Sequence, residues 1–172
     1  EIKDLFTNSS NVLIVTNVGG FTNDRHLERE EHEDLYLILL DSLGKLNTEG
    51  VEIIPQTMPP FPWHFGGQQF HNLFVDDESI AKFCATNEMR ICLDTSHSKL
   101  ACNYLKRSFT EFTKKVAPYI AHMHLADAEG VDGEGIQIGE GEIDWKSFIQ
   151  LIDKLAPKAS FIPEIWQGHK NN

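Results

Sequence analysis

Positive charge is what this sequence has least of: 15 lysines and arginines stand against 26 aspartates and glutamates, a formal net charge of −11. Phosphate-rich and anionic surfaces are bound by clustered Lys and Arg, so this balance disfavours a nucleic acid or a negatively charged membrane as partner. Cysteine is scarce as well. Cys84, Cys92 and Cys102 match no zinc-ligand spacing and cannot complete a set of disulfides. Cys92 sits in an apolar run and reads as core, and the natural setting for such thiols is the reducing cytoplasm. No apolar run approaches the roughly 20 residues of a membrane-spanning helix, and no signal peptide opens the chain. An initiator Met is missing too, and the start at Glu1 suggests a trimmed chain or an excised domain. No Gly-x-Gly-x-x-Gly opens a helix, which leaves a dinucleotide fold without support.

What is present is ordinary globular material, 41% hydrophobic and 24% charged, in 172 residues: enough for one domain with a real core and too short for two. Short apolar runs at Val12–Thr16, Val51–Gln56, Ile91–Leu93, His122–Leu125 and Ser160–Ile165 read as buried strands. Between them, helical spacing predicts helices over Glu28–Leu46, Asp77–Asn87, Leu100–Ala117 and Asp144–Leu155, the last capped by Asp144. Strict alternation of strand and helix argues an α/β fold with a parallel sheet covered by helices. Periodicity alone does not separate an open sheet from a barrel.

In such folds ligands gather at the carboxyl ends of the strands. This chain places Asn17, Gln56, Asp94 with His97, His124 with Asp127, and Glu164 there. Asp94, His124 and Glu164 offer oxygen and nitrogen without thiolate, a donor set for Mn, Mg, Co or Zn. A cation held there can polarise a carbonyl and its neighbouring hydroxyl while a carboxylate removes a carbon-bound proton. The bland reading of Asp94 and His97 is a capped turn at a strand end.

Four pieces together, Leu-Asp-Thr-Ser-His97, His-Met-His-Leu-Ala-Asp127, Ile-Gly-Glu-Gly-Glu-Ile-Asp144 and Pro-Glu-Ile-Trp166, resemble the xylose isomerase-like barrels. That superfamily holds sugar isomerases and epimerases and the metal-dependent apurinic endonucleases. The resemblance covers nearly the whole chain, aligned to the last five strands of an eight-stranded (β/α)8 TIM-type barrel. It implies that residues 1–172 form a single domain, the C-terminal part of a barrel, an incomplete one of about five βα units. It further implies a metal held by Gln56, Asp94, His124 and Glu164, with Glu164 also the base. His97 would contact substrate and orient a hydroxyl. His122 stays open as the ligand, although it lies deeper on the same face. The function implied is metal-dependent isomerisation or epimerisation of a sugar or sugar phosphate.

Two departures qualify that expectation. Where the family carries Glu, this chain has Gln56, whose amide can ligate but cannot act as a base. A non-catalytic carbohydrate-binding or assembly domain is therefore the alternative. The apurinic endonucleases need an Asp-x-His ahead of the Gly-x-Gly loop, and Gly133 and Gly135 stand at those positions, so a nuclease is disfavoured. The second departure is length. The three leading strands and a final helix are expected to lie outside residues 1–172, and the exposed sheet edges predict a homo-oligomer.

Around the strand tips, Thr57–Gln69 is expected to be a long stiff loop. Within it, Trp63 and His64, with Phe65, form either a sugar-stacking wall or a plug on the rim. Residues 129–141 form either a lid or a solvated loop. Asp127 either binds substrate or caps the next turn. His26, His32, His71 and His169 read as surface residues.

Overall fold

The computed structural model describes residues 12–64 and 67–166. Five parallel strands form its frame: β1 (Val12–Thr16), β2 (Val51–Pro55), β3 (Ile91–Asp94), β4 (Ile120–Leu125) and β5 (Ser160–Pro163). β1 pairs with β2, β3 with β4, and β4 with β5, all in parallel. The step from β2 to β3 is made by a parallel bridge between Gln56 and Cys92 and by Thr57, whose N–H donates to Cys92 O at 3.0 Å. Fully buried Thr57 continues that seam with its side chain, accepting from Asp94 N at 2.9 Å. Each strand thus lies beside the strand before it in sequence, the order of a barrel wall rather than of a doubly wound sheet.

Alternation along the strands separates two cores. Ile91 and Leu93 of β3 and Met123 of β4 join the large cluster beneath the helices, with Phe74, Ile80, Phe112 and Val116. Ile54, Cys92 and Ala121 form a small second cluster on the other face, against Leu13 and Val15. The pairing shifts by one residue after Ile91, so that His122 stands opposite Cys92 and His124 opposite Asp94. All three cysteines are free and buried, and burial pushes the Cys84 and Cys102 thiols up to about 12.

The helices are α1 (Arg29–Gly44), α2 (Asp77–Asn87), α3 (Thr95–Leu105), α4 (Phe109–Val116) and α5 (Trp145–Leu155). Asp144 caps α5 through Ser147 N. The single helix expected over Leu100–Ala117 is two. α3 starts at once after β3, because Asp94 caps it through His97 N, and it ends at Lys106 in the left-handed region (φ 57°). Ser108 then caps α4. The apolar spacing runs on across this corner, but local capping and the reach of Arg107 to Asp76 and Asp77 at the start of α2 break the backbone there.

The segment expected to be a long stiff loop carries short strands. Short antiparallel pairs join Phe21–Thr22 to Phe70–His71 and Trp63–His64 to Gly67–Gln68. His26 is half-buried against Phe61, Phe70 and Tyr104, and its Nε2 lies 2.9 Å from Pro60 O. His71 is fully buried rather than on the surface, with Nδ1 2.9 Å from Leu73 O. His32 is half-buried, and His169 lies outside the described residues.

The glycine-rich segment is a built hairpin rather than a solvated loop: Asp127–Glu129 pairs antiparallel with Gly133–Ile136. Its organiser is Asp127, fully buried, whose carboxylate accepts from Ala128 N, Gly139 N, Ile143 N and Trp145 Nε1 at 2.7–3.0 Å. Burial alone would raise the Asp127 pKa, but these bonds outweigh it and hold the group below the usual carboxylate range.

The core packing has a direct test. Phe112→Ala empties a fully buried site and is expected to cost about 3–5 kcal/mol in urea unfolding. Asp127→Asn turns an amide N–H₂ toward N–H donors and is expected to cost about 2 kcal/mol at pH 7. Because the folded-state pKa of Asp127 is depressed, its contribution is present above the unfolded value of about 3.9 and fades as pH falls through the folded one. The difference between wild type and Asp127→Asn should therefore shrink in acid.

Candidate active site

Four side chains meet at the carboxyl ends of neighbouring strands. Gln56 follows β2, Asp94 ends β3, His124 lies near the end of β4, and Glu164 follows β5 with its N–H donating to Leu125 O at 2.9 Å. Parallel pairing explains the convergence, since strands in register bring equivalent tips to one end. Gln56 Nε2 donates to Asp94 Oδ2 at 2.7 Å. His124 Nδ1 lies 2.6 Å from Glu164 Oε2, 3.2 Å from Gln56 Nε2 and 3.9 Å from Asp94 Oδ2. One ligand atom each from Asp94, His124 and Glu164 lies within 4.8 Å of the others.

Exposure grades across the site. Gln56, Asp94 and His97 are buried, the His124 side chain is nearly so, and the Glu164 side chain is 53% exposed. Burial pushes the Asp94 carboxyl above the usual carboxylate range. Glu164 shifts the other way, lowered by the hydrogen bond from His124. His97 is held between acceptors. Its Nδ1 faces Thr57 O at 2.8 Å and its Nε2 faces Glu134 Oε1 at 2.9 Å. Burial opposes the charged ring, but Asp94 and the Glu134 hydrogen bond prevail and raise its pKa to about 9. An imidazole with acceptors at both nitrogens donates from both, so the ring is cationic.

The donor chemistry fits a divalent cation. Two carboxylates and an imidazole Nδ1 share one point, and the Gln56 amide beside them can turn its oxygen inward, since its O and N are near-isosteric. His122 stands apart from this point: its Nδ1 lies 2.7 Å from Ser160 Oγ, one step deeper on the strand. Asn17 is exposed and makes no hydrogen bond to the cluster among the described residues. Asp127 is turned into its own hairpin, in the capping arrangement rather than toward a substrate. The side chains of Trp63 and His64, and all of Phe65, lie outside the described residues.

Reading the residues in order missed Glu134. It approaches His97 from a hairpin 37 residues downstream, and the signal available was the pair of glycines flanking it.

The family model for the xylose isomerase-like TIM barrel matches residues 10–172. An uncharacterized protein of Methanocaldococcus jannaschii is 30% identical over 129 residues, 73% of this chain and 45% of that protein. Among solved structures, an L-ribulose 3-epimerase superposes with a TM-score of 0.65 at 13% identity, over 92% of this chain and 49% of its own. A D-allulose 3-epimerase from Methylomonas sp. superposes with a TM-score of 0.58 at 12% identity, over 91% and 51%. At such identity these two likenesses concern the fold alone, and the chain spans about half the length of the proteins it matches. The match of the family model along nearly the whole chain, with parallel strands set side by side in sequence order, makes this chain a member of the xylose isomerase-like TIM-barrel family.

Proposed function

We propose that the full-length protein, of which this chain would supply the C-terminal part of the barrel, is a divalent-metal-dependent isomerase or epimerase acting on a sugar or sugar phosphate. The observation that carries the reading is the meeting of Asp94, His124 and Glu164 at one point. The likeness in fold to sugar epimerases supports it. Gln56, Asp94, His124 and Glu164 would hold the metal. When bound, the metal would polarise the substrate carbonyl and the hydroxyl beside it. Glu164, half-exposed and held in its charged form by His124, would accept the proton from the carbon next to that carbonyl. His97 would orient a substrate hydroxyl, its Nε2 N–H shared between Glu134 and the substrate oxygen. Trp63 and His64 are proposed as a wall for the apolar face of the sugar.

A second reading is favoured by Gln56. A non-catalytic carbohydrate-binding or assembly domain would keep the scaffold while lacking a carboxylate at that position. The nuclease reading has less support, because Gly133 and Gly135 stand where the resemblance leads one to expect an Asp-x-His pair. Free, buried thiols agree with a reducing cytoplasm, and among the described residues no helix is long and apolar enough to cross a membrane. β5 is exposed along its length, with Phe161 at 61%, which supports a homo-oligomer of the isolated chain.

Turnover by the full-length protein of at least one sugar in a panel of ketoses and aldoses, with Mn, Co or Mg, is expected. It should be lost on chelation and fall about 100-fold or more in Glu164→Gln. Sugar binding without turnover, unchanged by Glu164→Gln, would favour the binding domain instead. Gln56→Glu adds a charged ligand, and Mn affinity measured by calorimetry should rise roughly tenfold. Sedimentation of the 172-residue chain at high concentration should give dimers or larger species, and a purely monomeric profile would oppose the edge-pairing expectation.

A further inference from the structure

Epimerisation by proton transfer needs two groups, one on each side of the reacting carbon, and Gln56 removes one of the two carboxylates that the sequence resemblance leads one to expect. We propose that Glu134, carried by the hairpin after β4, is the second proton-transfer residue of this site. The proposal rests on the isomerase or epimerase reading above.

Glu134 is not a loosely placed loop carboxylate. Its side chain is 21% exposed, and its Oε1 accepts from His97 Nε2 at 2.9 Å. Its Oε2 makes no hydrogen bond among the described residues, so one oxygen anchors the group while the other is free to exchange a proton. The backbone on either side is clamped. Gly135 N–H donates to Ser96 Oγ at 2.9 Å, and Gly135 O accepts from Trp166 N at 3.0 Å, so the hairpin is tied both to the first turn of α3 and to the segment just past Glu164. Gly135 has φ +70° and a Cβ there would run into the Trp166 ring, while a Cβ on Gly133 would collide with Glu129 O. Only glycines let the hairpin press this close, and the residue between them is the carboxylate.

The resulting order of groups is nearly symmetric. Glu164 contacts His124, His124 lies 3.9 Å from Asp94, Asp94 lies 3.5 Å from His97, and His97 contacts Glu134. Two carboxylates therefore flank the buried centre through two imidazoles. In the reaction, Glu164 takes the proton from the carbon beside the carbonyl, and the C–H electron pair moves onto the carbonyl oxygen to give an enediolate. Glu134 takes the Nε2 proton of the His97 imidazolium through their hydrogen bond and delivers a proton to the opposite face, as the electron pair returns to form the new C–H bond. Glu164 ends protonated, Glu134 ionised and His97 neutral, and exchange with solvent resets Glu164 and His97. No atom is gained or lost and nothing is oxidised or reduced.

The test uses the full-length protein with Mn in deuterated water and follows D-allulose, L-ribulose and a wider ketose panel by proton NMR. Wild type should both invert the reacting carbon and introduce deuterium there. Glu134→Gln, with an unfolding midpoint matching wild type, should lose inversion by about 100-fold or more while still introducing deuterium without inversion from the epimer whose proton faces Glu164. Glu134→Asp, which keeps the carboxylate on a shorter arm, should retain more inversion than Glu134→Gln. Inversion in Glu134→Gln at the wild-type rate would overturn this assignment and leave the isomerase or epimerase reading standing. Absence of exchange and inversion with every sugar in wild type would overturn both.

Discussion

The arrangement depends on keeping one buried carboxylate satisfied. Asp94 ends β3 and is buried, where an unpaired charge would cost several kcal/mol or force the group to neutralise. It is satisfied in two directions. Oδ1 accepts from His97 N and so starts α3, while Oδ2 accepts from the Gln56 side chain and faces His97 and His124. The same residue is thus a strand end, a helix cap and the centre of a polar cluster. Its backbone N–H is in turn held by Thr57. Strand, helix and site are locked to one another at that residue, and the helix cannot shift without unpairing the carboxylate.

Around that centre the site grades from buried to exposed, which suits proton chemistry. The inner groups are fixed by burial and hydrogen bonds, whereas Glu164 stands at the rim, ionised and open to solvent. His97 is cationic because both of its nitrogens face acceptors. The Gln56 amide fills a place where a charge would add to two carboxylates already present, and its N–H group currently stabilises Asp94.

Much of this was legible in the residues. The five strands are short apolar runs, and their polar tips named Gln56, Asp94, His124 and Glu164, which do come together. The parallel arrangement followed from alternation of strand and helix. Other features were hidden because they depend on partners distant in sequence. The corner between α3 and α4 lies under an unbroken apolar spacing, and only the caps and the pull of Arg107 toward Asp76 and Asp77 reveal it. His71 looked polar and peripheral, yet the antiparallel pairing of Phe70–His71 with Phe21–Thr22 carries it inward. The acidic, glycine-rich composition of 129–141 resembles that of a solvated loop. What makes it a hairpin is a single carboxylate, Asp127, gathering four donors.

The sequence by itself determined which residues stand at strand ends, because short continuous apolar runs must be buried and must stop where polar groups begin. It also placed an amide, Gln56, rather than a carboxylate at one of those ends. Only the tertiary structure decided which of those tips share a point and which face their own loops, separating His124 from His122 and Glu164 from Asp127. It alone brought Glu134 to His97. The physical reason is that local patterns encode burial and turning, whereas a contact between residues 37 apart is set by how strands register, how glycines allow close approach and how buried charges find their partners.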